Sequence, residues 1–256
     1  RVEAMLRKLV KVMLSKLLRP SVIHKILGHF PPVVEVGGMR FFGLFKKPWS
    51  RALAMFEKEP DMIKFINEQT NANDVYYDVG ANVGIFSIYT ATRNLRVFAF
   101  EPEASNFYCL NKNIHLNQLQ DNCTAYNFAI ASKESIDYLY LKDAVIMGQS
   151  QNTFGEPINQ NAETFAPSFK QGTFRVSIDQ LVYKYGLPFP NHIKIDVDGL
   201  EAEVLKGASR VLSDKRLKTV ACEMNLQLRE STQAMSELLG LSGFRECPDY
   251  SNEAYA

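Results

Sequence analysis

Cysteine and histidine are scarce in this chain, and net charge is almost absent. The four cysteines, Cys109, Cys123, Cys222 and Cys247, are scattered over 256 residues with no Cys-x-x-Cys pair. That argues against a disulfide framework and for reduced thiols. Neither they nor the four histidines make a cluster with metal-ligand spacing. The formal charge of +1 leaves the whole molecule without the footprint of a nucleic-acid binder. No uncharged apolar run reaches the roughly 18–20 residues of a membrane span, and no apolar segment with a small-residue cleavage site marks a signal peptide. A cytoplasmic protein is the expectation, so the sequon Asn122-Cys123-Thr124 has no consequence. What is present is ordinary for a globular domain: 46% hydrophobic and 22% charged residues. A chain of this length buries about 70% or more of its unfolded surface and needs no staples.

Charge is uneven along the chain. Residues 1–19 carry six basic side chains against Glu3, a net of +5, which leaves −4 on the remainder. Leu6, Leu9, Val10, Met13, Leu14, Leu17 and Leu18 recur there at helical spacing, and Pro20 supplies a stop. The stripe suits packing on the main domain or on a second subunit, which permits a homodimer without requiring one. Its basic flank also suits peripheral contact with an anionic membrane.

The chain divides into an extension, 1–70, and a main domain, 71–256. In the extension a short hairpin is expected around Gly37-Gly38, then a helix from Ala52 to Gln69. From Asp74 onward short apolar runs alternate with helical periods. Strands are expected at 75–79, 96–101, 124–130, 135–141, 193–197 and 219–224, and helices at 84–93, 104–117, 200–212 and 231–241. The pattern implies an α/β fold with a doubly wound, mostly parallel sheet. Residues 142–173, rich in Asn, Gln, Ser, Gly and Pro, read as an irregular insertion, either a lid or a surface loop.

The chemistry-bearing segment is Asp78-Val79-Gly80-Ala81-Asn82-Val83-Gly84, between the first strand and first helix of the main domain. Ligands of doubly wound sheets bind beside such a turn. Gly80 clears space for a ligand, Gly84 permits close packing, and Asp78 and Asn82 offer polar atoms. The turn lacks the third glycine of a dinucleotide fingerprint. It suits a nucleoside carrying an amino acid, such as S-adenosylmethionine. Glu101, about 20 residues on at the end of the next strand, is placed to accept hydrogen bonds from ribose hydroxyls, and Pro102 fixes the turn after it. Asn127, Phe128, Ala129 and Ile130 offer a wall for an adenine ring. Asp196, in Lys194-Ile195-Asp196-Val197-Asp198-Gly199-Leu200-Glu201, points from a later strand tip into the same crevice, with Asp198 capping the helix and Glu201 on its surface as the structural reading. Glu223 ends the strand after that.

These motifs resemble the FkbM-type S-adenosylmethionine-dependent methyltransferases over roughly residues 55–245. The resemblance rests on the 78–87 segment, on Phe100-Glu101-Pro102, on Ser177-Ile178-Asp179-Gln180-Leu181 and on the 193–201 segment. Val204-Leu205-Lys206-Gly207-Ala208 and Glu223 complete it. It implies a class I methyltransferase fold, with a seven-stranded sheet containing one antiparallel strand, and methylation of hydroxyls on small molecules, sugars or secondary metabolites. The family has Glu where this chain has Asp198, and an aromatic residue or His where it has Leu200, which bears on the acceptor. Asp78, Gly80, Ala81, Asn82, Gly84, Glu101, Pro102, Ala129 and Asp196 are the expected cofactor residues, with Asp196 nearest the reacting centre. His192 suits a general base by type but starts its strand, at the wrong edge. A magnesium ion held jointly with substrate stays open. Two other readings are a methyltransferase fold without turnover, docking through the basic helix, and a nicotinamide-dependent oxidoreductase built on Tyr108-x-x-x-Lys112.

Overall fold

The computed structural model describes residues 32–43, 46–142, 147–148, 153–155, 157, 164–224 and 229–250. The basic stretch 1–19 and parts of the 142–173 segment lie outside them. Among the described residues no helix is long and apolar enough to cross a membrane.

Gly37 and Gly38, both at positive φ, turn β1 (Val33–Val36) back onto β2 (Met39–Phe42), with Val36 opposite Met39. Two adjacent left-handed residues are what a two-residue hairpin turn needs. The single helix expected over 52–69 is two: α1 (Lys46–Lys58) and α2 (Pro60–Gln69). Proline has no N–H to donate and clashes with the carbonyl four residues back, so one helix stops and the next starts on Pro60.

The main domain is built on a five-stranded sheet in the order β5-β4-β3-β10-β11, all parallel. Its strands are β3 (Val75–Val79), β4 (Arg96–Phe100), β5 (Cys123–Tyr126), β10 (His192–Ile195) and β11 (Thr219–Cys222). Every residue of β3 is buried. Tyr76 packs on one face with Ile66, Ile88 and Leu110, and Tyr77 and Val79 on the other with Ile178, Val204 and Leu205. A strand apolar on both faces is the mark of a sheet sandwiched between helix layers. One layer holds α1, α2, α3 (Ile85–Ala91) and α4 (Ala104–Leu116); the other holds α5 (Ile178–Tyr183), α6 (Glu201–Lys206), α7 (Ser209–Leu212) and α8 (Arg229–Leu241). Cys109 and Cys123 are buried free thiols, and burial pushes the Cys109 thiol up to about 12.

Three expectations are corrected. The strand at 124–130 is divided between two sheets: β5 pairs with β4, while β6 (Ala129–Ile130) pairs with β9 (Phe169–Val176). Asn127 makes the break by donating its side-chain amide to the carbonyls of Glu101 and Pro102, at 2.9 and 3.0 Å. The insertion is not irregular to residue 173. β9 pairs antiparallel with β7 (Ser135–Leu141) over seven positions, and β8 (Thr153–Phe154) joins β7 from the other side. β9 has Lys170 and Gly172 in its middle and little alternation, so its pairing with β7 rather than its own propensity makes it a strand. Finally, in place of seven strands with one antiparallel member, the main sheet of the described residues has five, and the antiparallel pairs lie in the hairpin and the second sheet.

The hairpin is bolted to the main domain by Asn113, fully buried on α4. Its Oδ1 accepts the Phe42 N–H at 2.7 Å and its Nδ2 donates to the Val83 carbonyl at 2.7 Å. Asn113→Ala orphans two buried backbone groups, at about 1–3 kcal/mol each. A fall in Tm of about 5–10 °C is expected in a thermal melt. A variant melting with the parent would show that Asn113 bears no weight.

Candidate active site

Strand order reverses between β3 and β10, so the turn after β3 and the loop after β10 leave the sheet side by side. The crevice at such a switch point is where parallel sheets bind ligands. Here it is a cleft open to solvent. Gly80 and Asn82 line one side, Asp196, Asp198 and Leu200 another. Glu101 and Pro102 flank the tip of β4, and Ala129, Ile130, Leu139 and Phe154 give an apolar wall from the second sheet.

Gly80 has φ +81°, and a Cβ built there would stand 1.9 Å from the backbone oxygen of Asp196. The glycine is therefore demanded by the adjoining β10 loop as well as by any ligand. Gly80 and Ala81 both donate to the Phe100 carbonyl at 3.0 Å. Gly84 (φ +84°) is the N-cap of α3, and its Cβ would meet Leu110 Cδ1 at 2.3 Å, which confirms its packing role.

Glu101 is 5% exposed. Its Oε2 accepts the Asn82 N–H at 2.8 Å and its Oε1 the Glu103 N–H at 2.9 Å. The carboxylate thus ties the glycine turn to the start of α4, whose N-cap is Glu103. Burial pushes the Glu101 carboxyl up to about 8, against the lowering effect of those two amides and of Asn106. These two amides and Asn106 leave room on the carboxylate for a further donor.

Of the nine expected residues, Gly80, Asn82, Glu101, Pro102, Ala129 and Asp196 line the cleft. Asp78, Ala81 and Gly84 stand behind its wall. Asp78 Oδ2 accepts the Ser87 hydroxyl, and its Oδ1, without a hydrogen-bond partner among the described residues, lies 3.5 Å from Lys194 Nζ. Asn127 is spent on the two carbonyls named above, and Phe128 joins an aromatic stack with Phe100 and Tyr126. Asp198 and Leu200, the two departures from the family pattern, both face the cleft. Leu200, not Asp198, is the N-cap of α6. Glu201 is buried rather than on the surface, its Oε1 accepting the N–H groups of Val197 and Gly199 at 3.1 Å.

The register of β10 with β3 and β11 assembles a charge cluster that pattern reading passes over. Lys194 is 4% exposed. Its Nζ is 3.1 Å from Asp196 Oδ2 and sits beside Asp78. Burial opposes its charge, but Asp196 and Asp78 outweigh burial and hold the ammonium protonated. Glu223 lies at the next strand tip, with its N–H on the Ile195 carbonyl at 3.0 Å and its carboxyl hydrogen-bonded to Asp196. Burial and then the Asp196 charge push Glu223 up to about 9, whereas Lys194 and that hydrogen bond overcome burial at Asp196 and lower it. Asp196 is thus the more acidic member of the pair and Glu223 the less acidic. Lys194 carried a sequence signal, as one of four ionisable groups in eight residues. Arg51, which reaches the cleft from α1, carried none.

His192 lies at the opposite edge of the sheet. It is fully buried, Nε2 3.0 Å from Asp74 and Nδ1 2.7 Å from Thr219 Oγ1. Tyr108 and Lys112 pack on one another on α4, with Tyr108 48% exposed and edge-on to Phe42. They do not line the cleft.

The chain is similar to known methyltransferases. A family model described as "Methyltransferase FkbM domain" matches residues 78–247. Hexuronic acid methyltransferase AglP of Haloferax volcanii is 26% identical over 179 residues, which cover 70% of this chain and 68% of that protein. Methyltransferase sdnD of Sordaria araneosa is 24% identical over 157 residues, 53% of this chain and 61% of the relative. The crystal structure of methyltransferase FkbM from Methylobacillus flagellatus KT aligns with a TM-score of 0.45 at 16% identity, over 66% of this chain and 36% of that one. The match from β3 through the last helix makes this chain a member of the FkbM methyltransferase family.

Proposed function

We propose that the protein transfers the methyl group of S-adenosylmethionine to an oxygen nucleophile, a hydroxyl of a small molecule or glycan. The observation that carries the reading is Glu101, a buried carboxylate at the tip of the second strand of the sheet, open to the cleft and tied to the glycine turn. A ribose cis-diol satisfies its remaining lone pairs, the apolar wall of Ala129, Ile130, Leu139 and Phe154 suits an adenine face, and the residues fit the cofactor. A hexuronic acid methyltransferase at 26% identity supports a sugar among the acceptors.

The bound cofactor supplies an electrophilic methyl on a sulfonium. Held at Glu101 and against the apolar wall, the cofactor would offer that carbon to the acceptor oxygen, with the sulfur–carbon electron pair left on a neutral thioether. Alignment at about 3 Å is the main catalytic contribution of such a site. The hydroxyl proton passes to the Asp196–Glu223 pair. Lys194 beneath Asp196 keeps the Asp196 charge in place.

Calorimetric titration with S-adenosylhomocysteine, and with NADH in parallel, tests the reading. Micromolar binding of the first and none of the second is expected. The reverse result overturns it.

The pH dependence of that binding is a separate prediction. Ribose hydroxyls donate to the ionised form of Glu101, yet the carboxyl holds its proton up to about pH 8. Binding at pH 7 therefore releases close to one proton. Affinity falls as pH drops below about 8, by up to about tenfold per unit, and levels above it. Titrations in buffers of different ionisation heat measure the proton count. Uptake instead of release contradicts the role of Glu101.

A further inference from the structure

Arg51 has no part in the reading above, and it lies outside the segment matched by the family model. It belongs to α1, yet it lines the cleft opened by strands that begin more than twenty residues later. Among the described residues it is the only cationic side chain in that lining; the other ionisable members, Glu101, Asp196 and Asp198, are acidic.

The guanidinium is held rather than loose. Its Nε donates to the Gly148 carbonyl at 2.9 Å. Gly148 is itself fixed, its N–H donating to Asn106 Oδ1 at 2.7 Å. It has φ +78°, and a Cβ there would press on the Pro48 backbone N at 3.1 Å. Asn106 is 1% exposed and also hydrogen-bonds the Glu101 carboxyl. A relay thus runs from Glu101 through Asn106 and Gly148 to Arg51. Only Nε is hydrogen-bonded; the charge of the guanidinium is felt at Asp196 and Glu59, but among the described residues its terminal nitrogens form no ion pair or hydrogen bond. Two parallel N–H donors on a fixed guanidinium match a carboxylate in bidentate geometry.

We infer that Arg51 is the seat of the α-carboxylate of the cofactor's amino-acid tail, the anionic half of a zwitterion whose ammonium faces the acidic remainder of the cleft. This rests on the methyltransferase reading. Glu101 locates the ribose, and the relay sets Arg51 one side chain and one peptide from it. A carboxylate elsewhere in this lining would face Glu101, Asp196 or Asp198. The extension is then part of the cofactor site, and Gly148 aims the arginine.

The test compares three ligands on the full chain by calorimetry: S-adenosylhomocysteine, its decarboxylated analogue, and 5′-methylthioadenosine, which lacks the whole tail. In Arg51→Gln the affinity for S-adenosylhomocysteine is expected to fall about 10–100-fold, the loss of a bidentate charge-assisted pair. The other two ligands should bind within twofold of the parent protein, and Arg51→Lys should recover part of the loss. Unchanged S-adenosylhomocysteine affinity in Arg51→Gln overturns the inference, and leaves Arg51 to the acceptor. An equal loss for all three ligands also overturns it, since Arg51 then only props the cleft. If none of the three binds the parent protein, the methyltransferase reading itself fails.

Discussion

Replacing Glu101 with alanine is expected to weaken S-adenosylhomocysteine binding by about a hundredfold or more. A hydrogen bond to a charged group contributes about 1.5–3 kcal/mol, every 1.4 kcal/mol is a factor of ten, and the ribose diol makes at least one. The turn amides add to the loss, because Asn82 and Glu103 both donate to this carboxylate. Glu101→Gln should fail almost as badly, since its NH2 would face one of those N–H donors. Stability separates lost ribose contacts from a collapsed turn. The Glu101 carboxyl is raised from about 4.5 to about 8 in the native state. The native protein therefore keeps a proton that the unfolded chain releases, and this group's contribution falls as pH rises through that window. Parent and alanine variant should differ in the slope of stability against pH between 4.5 and 8, with the parent declining more steeply. A variant that binds S-adenosylhomocysteine like the parent removes the basis for placing the ribose here.

Gly80→Ala should unfold or nearly unfold the domain. The added Cβ stands 1.9 Å from the Asp196 oxygen and 2.9 Å from its carbonyl carbon, both backbone atoms held by the sheet. Left-handed φ costs a non-glycine residue about 1–2 kcal/mol before any clash. Relief requires β3 and β10 to part at their tips, where Asp196 N–H donates to the Val79 carbonyl at 3.0 Å. A loss above about 4 kcal/mol is expected. That corresponds to a Tm lower by about 10–15 °C in a thermal melt, together with loss of cofactor binding. Gly84→Ala makes the useful contrast. Its clash is with the end of the Leu110 side chain, which moves more easily than backbone, so it should cost distinctly less. A Gly80→Ala protein that melts within about 3 °C of the parent would show that the strand tips separate cheaply.

Much of the site was legible because its signals are local. A glycine turn between an apolar strand and a helix, an acid at the next strand tip and an acid after a later strand can each be recognised within a few residues. Gly80, Asn82, Glu101 and Asp196 accordingly line the cleft. Asp78 was read as facing the ligand because it adjoins the turn. Side chains alternate along a strand, and this one points to Ser87 and Lys194 instead. Prolines and glycines marked most boundaries, but Pro60 was passed over inside a helical period.

The sequence by itself determined the α/β class, the order of most elements, the place of the glycine turn and the family. Those depend on short-range patterns: apolar periodicity, turn residues and motif spacing. Only the tertiary structure decided that Asp196 and Glu223 are hydrogen-bonded, since that needs two strands in register. It also decided that residues 169–176 form a strand, since their partner is β7 and not their own propensity. And it alone brought Arg51 to the cleft, because a helix before the first main strand reaches the far end of the sheet only when the chain is packed.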